Sequence, residues 1–439
     1  MKKTLMAGLI GLFSSSLWSA DLLDVYRDAL ANDAQFAAAR AQHLAGQEAA
    51  VQGRAGLLPS IGASASTQWN RTEPEGADSS SYNSNAWGVQ LTQPLLRMQN
   101  RAQARQGELQ TSAADVQLEL ARQDLILRVS EAYFNVLNAE DALDALVQLR
   151  TAAAEQLQHA KTSFEVGTVT ITDVHEAQSY YDLAVAQVIA AESTLDVARE
   201  ALSRIVNRDV PDLATLRPGV ELVAPEPADP DAWASAAEQG SRGVQLQLIS
   251  RDIIAQEVRR SRAGHYPTVD LVASHGNGSR QGGSAGSADT SALGVQFNLP
   301  LYAGGAISSR EREAAALRMK ADADLDDARR AAVLAARQAY VGVTSGMARV
   351  KALEAAELSS ISSLEANRLG YEVGVRINID VLNAQTQLAD ARRQLAQARY
   401  DTLLAQFRLK AAAGSLDEDD VKAVNALLVE QVAQDGREQ

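Results

Sequence analysis

The chain has 439 residues, no cysteine, and 55 acidic against 41 basic side chains, for a formal net charge of −14. The absence of cysteine excludes disulfides, thiolate chemistry, cysteine metal sites and a lipid-modified N-terminal cysteine. The acidic balance argues against nucleic acid as a partner, because phosphate binding needs clustered Lys and Arg.

In chain order, residues 1–20 read as a signal peptide. Lys2 and Lys3 precede a mainly apolar run from Leu5 to about Leu17, too short to span a bilayer, ending near Ala20. Trp18 is bulky for the third position before a cut after Ala20. No later stretch approaches 18 uninterrupted apolar residues, so any membrane crossing must use strands.

Residues 21–210 form a first unit. Ile61, Ala63, Ala65, Thr67 and Trp69 alternate with Gly62, Ser64, Ser66, Gln68 and Asn70, which predicts a strand over 60–70. Trp87, Val89 and Leu91 alternate with Gly88, Gln90 and Thr92, which predicts another over 85–95. Apolar on one face and polar on the other, these have the length and pattern of a membrane barrel with a wet lumen. The polar stretch between them suits an external loop.

A proline-free span then runs from Pro94 to Pro211 and is rich in good helix formers. Its apolar columns repeat every seven residues: Val174, Tyr181, Val188, Leu195 and Leu202, and Ala177, Ala184, Ala191, Ala198 and Ile205. The preceding arm keeps the spacing through Leu109, Ala113, Val116, Leu120, Leu127, Phe134 and Leu137. This is a coiled-coil hairpin. A helix from about residue 96 to 166 would run roughly 105 Å. Its tip lies near 164–174, where Gly167 suits the left-handed end of one helix and Asp173 the start of the next.

Residues 211–232 hold five of the ten prolines and link the halves. A second unit, 233–414, repeats the first: strands over 267–276 and 291–302, a Gly-rich loop between them, and a hairpin with its tip near 371–381. Its columns are Val381, Leu388, Leu395, Thr402 and Leu409, and Ala384, Ala391, Ala398, Ala405 and Ala412. "FEVGTVTITDVHEAQ" at 164–178 answers "YEVGVRINIDVLNAQ" at 371–385, and "GVQLTQPLL" at 88–96 answers "GVQFNLPLY" at 294–302. A unit of about 207 residues thus occurs twice. The acidic segment 415–439 and the linker are expected to form a smaller mixed layer around the hairpins.

Four strands cannot close a barrel, and an open sheet in lipid leaves unpaired edges. Copies must share one. Two would give eight strands and almost no lumen; three would give twelve and a pore. The fold class expected is therefore α+β, with long antiparallel helical hairpins and four membrane strands per chain.

With "AYFNVLNAEDAL" at 132–143, "FEVGTVTITDV" at 164–174, "YPTVDLVAS" at 266–274, "LPLYAGG" at 299–305 and "YEVGVRINIDVL" at 371–382, the chain resembles the TolC family of outer-membrane channel-tunnels over essentially its whole mature length. The resemblance implies a homotrimer with a twelve-stranded barrel on a twelve-helix periplasmic tunnel, in contact with outer-membrane lipid. It implies docking on a periplasmic adaptor and an inner-membrane transporter of the RND, ABC or MFS type, and export of drugs or unfolded proteins.

Chemistry concentrates at the tips. An Arg facing a carboxylate across hairpins can form a charge-assisted bond that a Tyr hydroxyl joins. By resemblance, Asp173, Tyr371 and Arg376 match the links that hold the family's tunnel shut; read alone, they are also compatible with solvated helix caps. Asp380 matches the first member of an Asp-x-x-Asp pair ringing the entrance. Asn383 stands where the second would be, which leaves three inner carboxylates in a trimer instead of six. Gly167 and Gly374 match the family's adaptor-contact turns, a role compatible with simply ending the helix. His43, His159, His175, His265 and His275 show no metal-ligand spacing, and no nucleophile elbow, phosphate loop or catalytic acid pair is visible, so neither enzyme activity nor a cofactor is expected. A periplasmic coiled-coil adaptor is the rival reading; it accounts for the hairpins but not the strands.

Overall fold

The computed structural model describes residues 19–73, 75–76, 78–279 and 286–429. The expected signal segment lies outside them except for its last two residues, as do parts of both expected loops and residues 430–439 of the acidic segment.

The chain opens with two short helices, α1 (Leu22–Asn32) and α2 (Ala34–Ala55). Asp21 caps α1 by accepting the Asp24 amide at 2.8 Å, and Asp33 both ends α1 and caps α2 through the Phe36 amide at 2.6 Å. Strands β1 (Ser60–Thr72) and β2 (Ser80–Leu96) follow, then the 68-residue α3 (Met98–Glu165) and α4 (Ile171–Val206). Strand β3 (Thr215–Leu216), helices α5 (Pro230–Gly240) and α6 (Arg242–Arg262), and strands β4 (Thr268–Ser279) and β5 (Ser287–Asn298) come next. The chain ends through α7 (Ala306–Glu372), α8 (Asn378–Ala413), α9 (Glu418–Asn425) and β6 (Leu428–Val429). At 1.5 Å per residue α3 extends about 100 Å.

The four long strands form one antiparallel sheet in the order β1-β2-β4-β5, so β1 and β5 are its edges. Register sets the predicted apolar residues side by side: Ile61 pairs with Leu91, Leu91 with Ala273 and Ala273 with Leu293. Val295 pairs with Leu271, and Phe297 with Val269. In a single copy this face is bare, with Ile61 70%, Leu293 75% and Phe297 63% exposed. On the opposite face stand the strand glycines Gly62, Gly88, Gly276, Gly278 and Gly294 together with Ser64, Gln90 and Gln296. All four strands differ from their expected bounds: β1 runs on to Thr72, β4 covers Thr268–Ser279 and β5 begins at Ser287. β2 begins at Ser80, inside the expected loop, and β5 stops at Asn298, because Pro300 has no N–H for the ladder. Among the described residues no helix is long and apolar enough to cross a membrane.

Below the sheet, each long helix packs against a short one near the strands and a hairpin partner farther away: α3 against α2 and then α4, α7 against α6 and then α8. The α4 and α8 columns are the buried ones, with Ala177, Val188, Leu202, Val381, Leu395 and Leu409 in the core. One expectation fails. Leu120 is 41% exposed, because the upper half of α3 meets α2 through small residues instead of leucines. A Cβ on Gly107 would lie 2.3 Å from the Ala49 carbonyl oxygen, and one on Gly46 would lie 2.4 Å from the Ala114 Cβ, so the two backbones touch.

Around the middle of the helices, α1, α9, the β3–β6 pair and an Ala20–Leu213 bridge form a thin layer over α3. Tyr133 is fully buried beneath it, and its hydroxyl donates to the Ala214 carbonyl at 2.7 Å. Phe134 stacks on Tyr400, whose hydroxyl donates to Asp141 at 2.7 Å. This is the largest apolar core in the chain.

Candidate functional site

The far ends of the two hairpins hold every candidate gate, entrance and adaptor-contact residue. At the first tip α3 ends at Glu165, and Gly167 takes the left-handed conformation (φ 79°) so that the Thr168 amide can reach back to the Ser163 carbonyl at 2.9 Å. Thr170 then starts α4 in a reciprocal cap. Its hydroxyl faces the Asp173 amide at 3.4 Å, and the Asp173 carboxylate accepts from the Thr170 amide at 2.8 Å. At the second tip Gly374 (φ 75°) plays the part of Gly167, with the Val375 amide bonded to the Gly370 carbonyl at 2.8 Å. Here Ile377 replaces the Thr and has no hydroxyl to offer. Only half of the cap remains, the Ile377 amide donating to Asp380 at 3.5 Å.

The tips differ in their charges. Arg376 lies 3.7 Å from Asp380, four residues on. Asp173 is engaged by Thr170, and within one copy Asp173 and Arg376 are not paired. Tyr371 lies between the hairpins. Its hydroxyl is 3.3 Å from His159 Nδ1 on α3, and the two rings meet edge-on with centroids 5.4 Å apart. Burial and the nearby Asp173 carboxylate push the Tyr371 phenol above its ordinary pKa. Asn383 accepts from the Tyr180 hydroxyl at 2.7 Å, a second tie between hairpins.

The seam beneath these contacts is part apolar, part polar. Leu382 of α8 inserts among Ala153, Leu157, Ala160 and Ala177 of the first hairpin. Beside it Asn378 and Gln385 are buried to 3% and 6% exposure. Both side-chain polar atoms of Asn378, and Oε1 of Gln385, lack a hydrogen-bond partner among the described residues. Arg392 and Arg399 continue this seven-residue column, bonded to Gln148 at 2.6 Å and Glu354 at 2.8 Å. This polar column repeats at the same interval as the apolar ones and is written in the sequence beside them. No group of three or more His, Asp or Glu able to hold a metal occurs among the described residues.

Comparison with known proteins fits this geometry. Residues 25–208 and 233–415 match the family model described as outer membrane efflux protein. The chain belongs to the outer membrane efflux protein family. It is 32% identical to the outer membrane protein TolC of Vibrio cholerae over 97% of this chain and 98% of that protein. It is equally 32% identical to the alkaline protease secretion protein AprF of Pseudomonas aeruginosa, over 97% of this chain and 92% of that protein. Among solved structures, the Campylobacter jejuni CmeC outer membrane channel superposes with a TM-score of 0.79 at 20% identity, covering 92% of this chain and 89% of that one. The open state of the Neisseria gonorrhoeae MtrE outer membrane channel superposes with a TM-score of 0.76 at 21% identity, covering 92% of each chain. As a member of this family, the chain is an outer-membrane exit duct for efflux and/or type I secretion that reaches into the periplasm, and not an enzyme. The adaptor reading is thereby overturned.

Proposed function

We propose that three copies share one twelve-stranded barrel and one tunnel of hairpins, with each chain arranged as the duplicated units 21–210 and 233–414. The observation carrying this reading is the four-stranded sheet with two open edges and one bare apolar face. Each unpaired edge group would cost several kcal/mol in lipid, and closure with neighbouring copies removes that cost. The hairpin tips then converge on the axis as the periplasmic entrance. Arg376 of one copy reaches Asp173 of the next, with Tyr371 beside them, and Asp380 lines the opening. A periplasmic adaptor docks at the Gly167 and Gly374 turns, and an inner-membrane transporter of the RND, ABC or MFS type supplies the cargo. Relatives named for efflux and for protease secretion support both small molecules and unfolded proteins as cargo.

The test is reconstitution of the purified protein in planar bilayers. Heat-modifiable trimers giving single-channel currents, blocked from the entrance side by trivalent cations, are expected. Asp380→Ala should abolish that block, and Asn383→Asp should strengthen it. Monomers without conductance would defeat the reading.

A further inference from the structure

Just below the strands the helical wall carries charge opposite to that of the chain as a whole. Arg105 of α3, Arg259 and Arg262 of α6 and Arg318 of α7 line a cleft of about 720 Å³ whose only carboxylates are Glu108 and Asp252. Those carboxylates and the neighbouring Glu311 are already engaged. Glu108 pairs with Arg105 at 2.5 Å and Arg54 at 3.3 Å, Arg262 pairs with Glu311 at 2.8 Å, and Asp252 pairs with Arg251 at 2.5 Å. Arg259 reaches the Gln256 amide oxygen at 3.4 Å, and Arg318 stands 4.0 Å from Asp322. All four cleft arginines are exposed. Arg259 is thus the cleft guanidinium with no carboxylate partner among the described residues, and the lining sets four arginines against two carboxylates in a chain of net charge −14.

Its direction follows from the helix period. Arg105 shares a seven-residue column with Ile126 and Tyr133, both covered by the thin layer of α1 and β3–β6. A tunnel must stay hollow, so that layer lies on its outside, and the arginines with it. On the opposite face of α3, Gln103, Gln110, Gln117, Asp124 and Glu131 repeat at the same interval and are all exposed, as a wet lumen requires.

Its height follows from the strands. Tyr266, Leu301 and Tyr302, 48%, 89% and 88% exposed, flank the lower ends of β4 and β5 as an amphipathic girdle does where lipid meets water. Arg262 precedes Tyr266 by one short turn, and Arg105 lies about 12 Å along α3 from Arg97 at the end of β2. Long guanidinium stems extending upward from there reach the headgroup layer, roughly 5–8 Å thick.

We propose that this cleft binds the phosphate of an anionic phospholipid in the periplasmic leaflet of the outer membrane. The planar guanidinium fork suits phosphate oxygens, and an outward basic cleft at headgroup depth has that phosphate as its nearest anion. The inference rests on the membrane placement of the family and is independent of the gate.

The test uses the full-length protein in nanodiscs of phosphatidylethanolamine with and without phosphatidylglycerol, with retained lipid weighed by native mass spectrometry. Wild type should retain phosphatidylglycerol selectively, and less of it as salt rises. Arg259→Gln with Arg262→Gln should lower retention on the order of twentyfold, at about fivefold for each charge near the surface. Asp252→Asn should raise it. Unchanged conductance of the double variant confirms folding. Equal retention by wild type and double variant, equal retention of phosphatidylethanolamine, or displacement by inorganic phosphate alone would each overturn the proposal.

Discussion

Asp33 shows how much one side chain can hold. It stands at the break between two helices, accepts the Phe36 amide at 2.6 Å, and takes both ends of the Arg128 guanidinium at 3.1 Å. Burial alone would raise its pKa, but the Arg128 hydrogen bond, the Phe36 amide and the Arg128 charge outweigh it and hold the carboxyl below the usual range. Because the folded pKa is depressed, this stability is present above the unfolded pKa of about 4 and lost as pH falls through the folded value. Asp33→Asn should therefore cost about 1–2 kcal/mol at neutral pH. The deficit should shrink as acid protonates the wild-type carboxyl. Thermal melts followed by circular dichroism, at neutral pH and near pH 3, check both parts. An equal deficit at both values would mean that the charge contributes nothing beyond the cap.

At the level of strands and helices, alternation makes a sharp prediction. Arg at Val89, Leu271 or Val295, on the bare apolar face, should impair membrane insertion by about 2–4 kcal/mol near the midplane. Arg at Gln90 or Gln296, on the glycine-lined face, should be tolerated, and the yield of folded protein in the outer-membrane fraction measures the contrast. That contrast was legible in the sequence because a strand's period of two fixes each residue's face. The hairpins were legible for the same reason at a period of seven, as Val381 and Leu395 bear out with 1% and 3% exposure. Leu120 was misread because a period reports a stripe, not what the stripe meets, and the glycine and alanine contacts with α2 shift the buried face. The ties of Tyr371 to His159 and Asn383 to Tyr180 join residues 212 and 203 positions apart. No local pattern encodes such a pairing; it follows only once two hairpins lie side by side.

In the proposed assembly, the seam between hairpins would contribute to the balance between shut and open. Asn378 and Gln385 bring to this seam buried polar atoms with no partner among the described residues, and each such group left unsatisfied costs about 1–3 kcal/mol. Asn378→Leu with Gln385→Leu should tighten the seam, and single-channel recordings should then show fewer and briefer openings at unchanged trimer yield. Against this cost stands the proposed link from Arg376 to Asp173 of the neighbouring copy, three times per trimer. Arg376 is 58% exposed, so each link is worth about 1 kcal/mol at most after solvent screening. Three together give roughly 3 kcal/mol, enough to hold the open population on the order of one in a hundred. An adaptor must then bind the open state more tightly by a comparable amount. Arg376→Ser with Tyr371→Phe should therefore raise conductance several-fold without any transporter and admit large antibiotics into the cell. Exchanging the charges, Asp173→Arg with Arg376→Asp, should restore part of the closure, although the Thr170 cap loses its carboxylate and the Asp380 beside Arg376 gains a like-charged neighbour. Conductance of the double variant equal to wild type would leave these residues as solvated caps and place the gate in the Asn378–Gln385 seam.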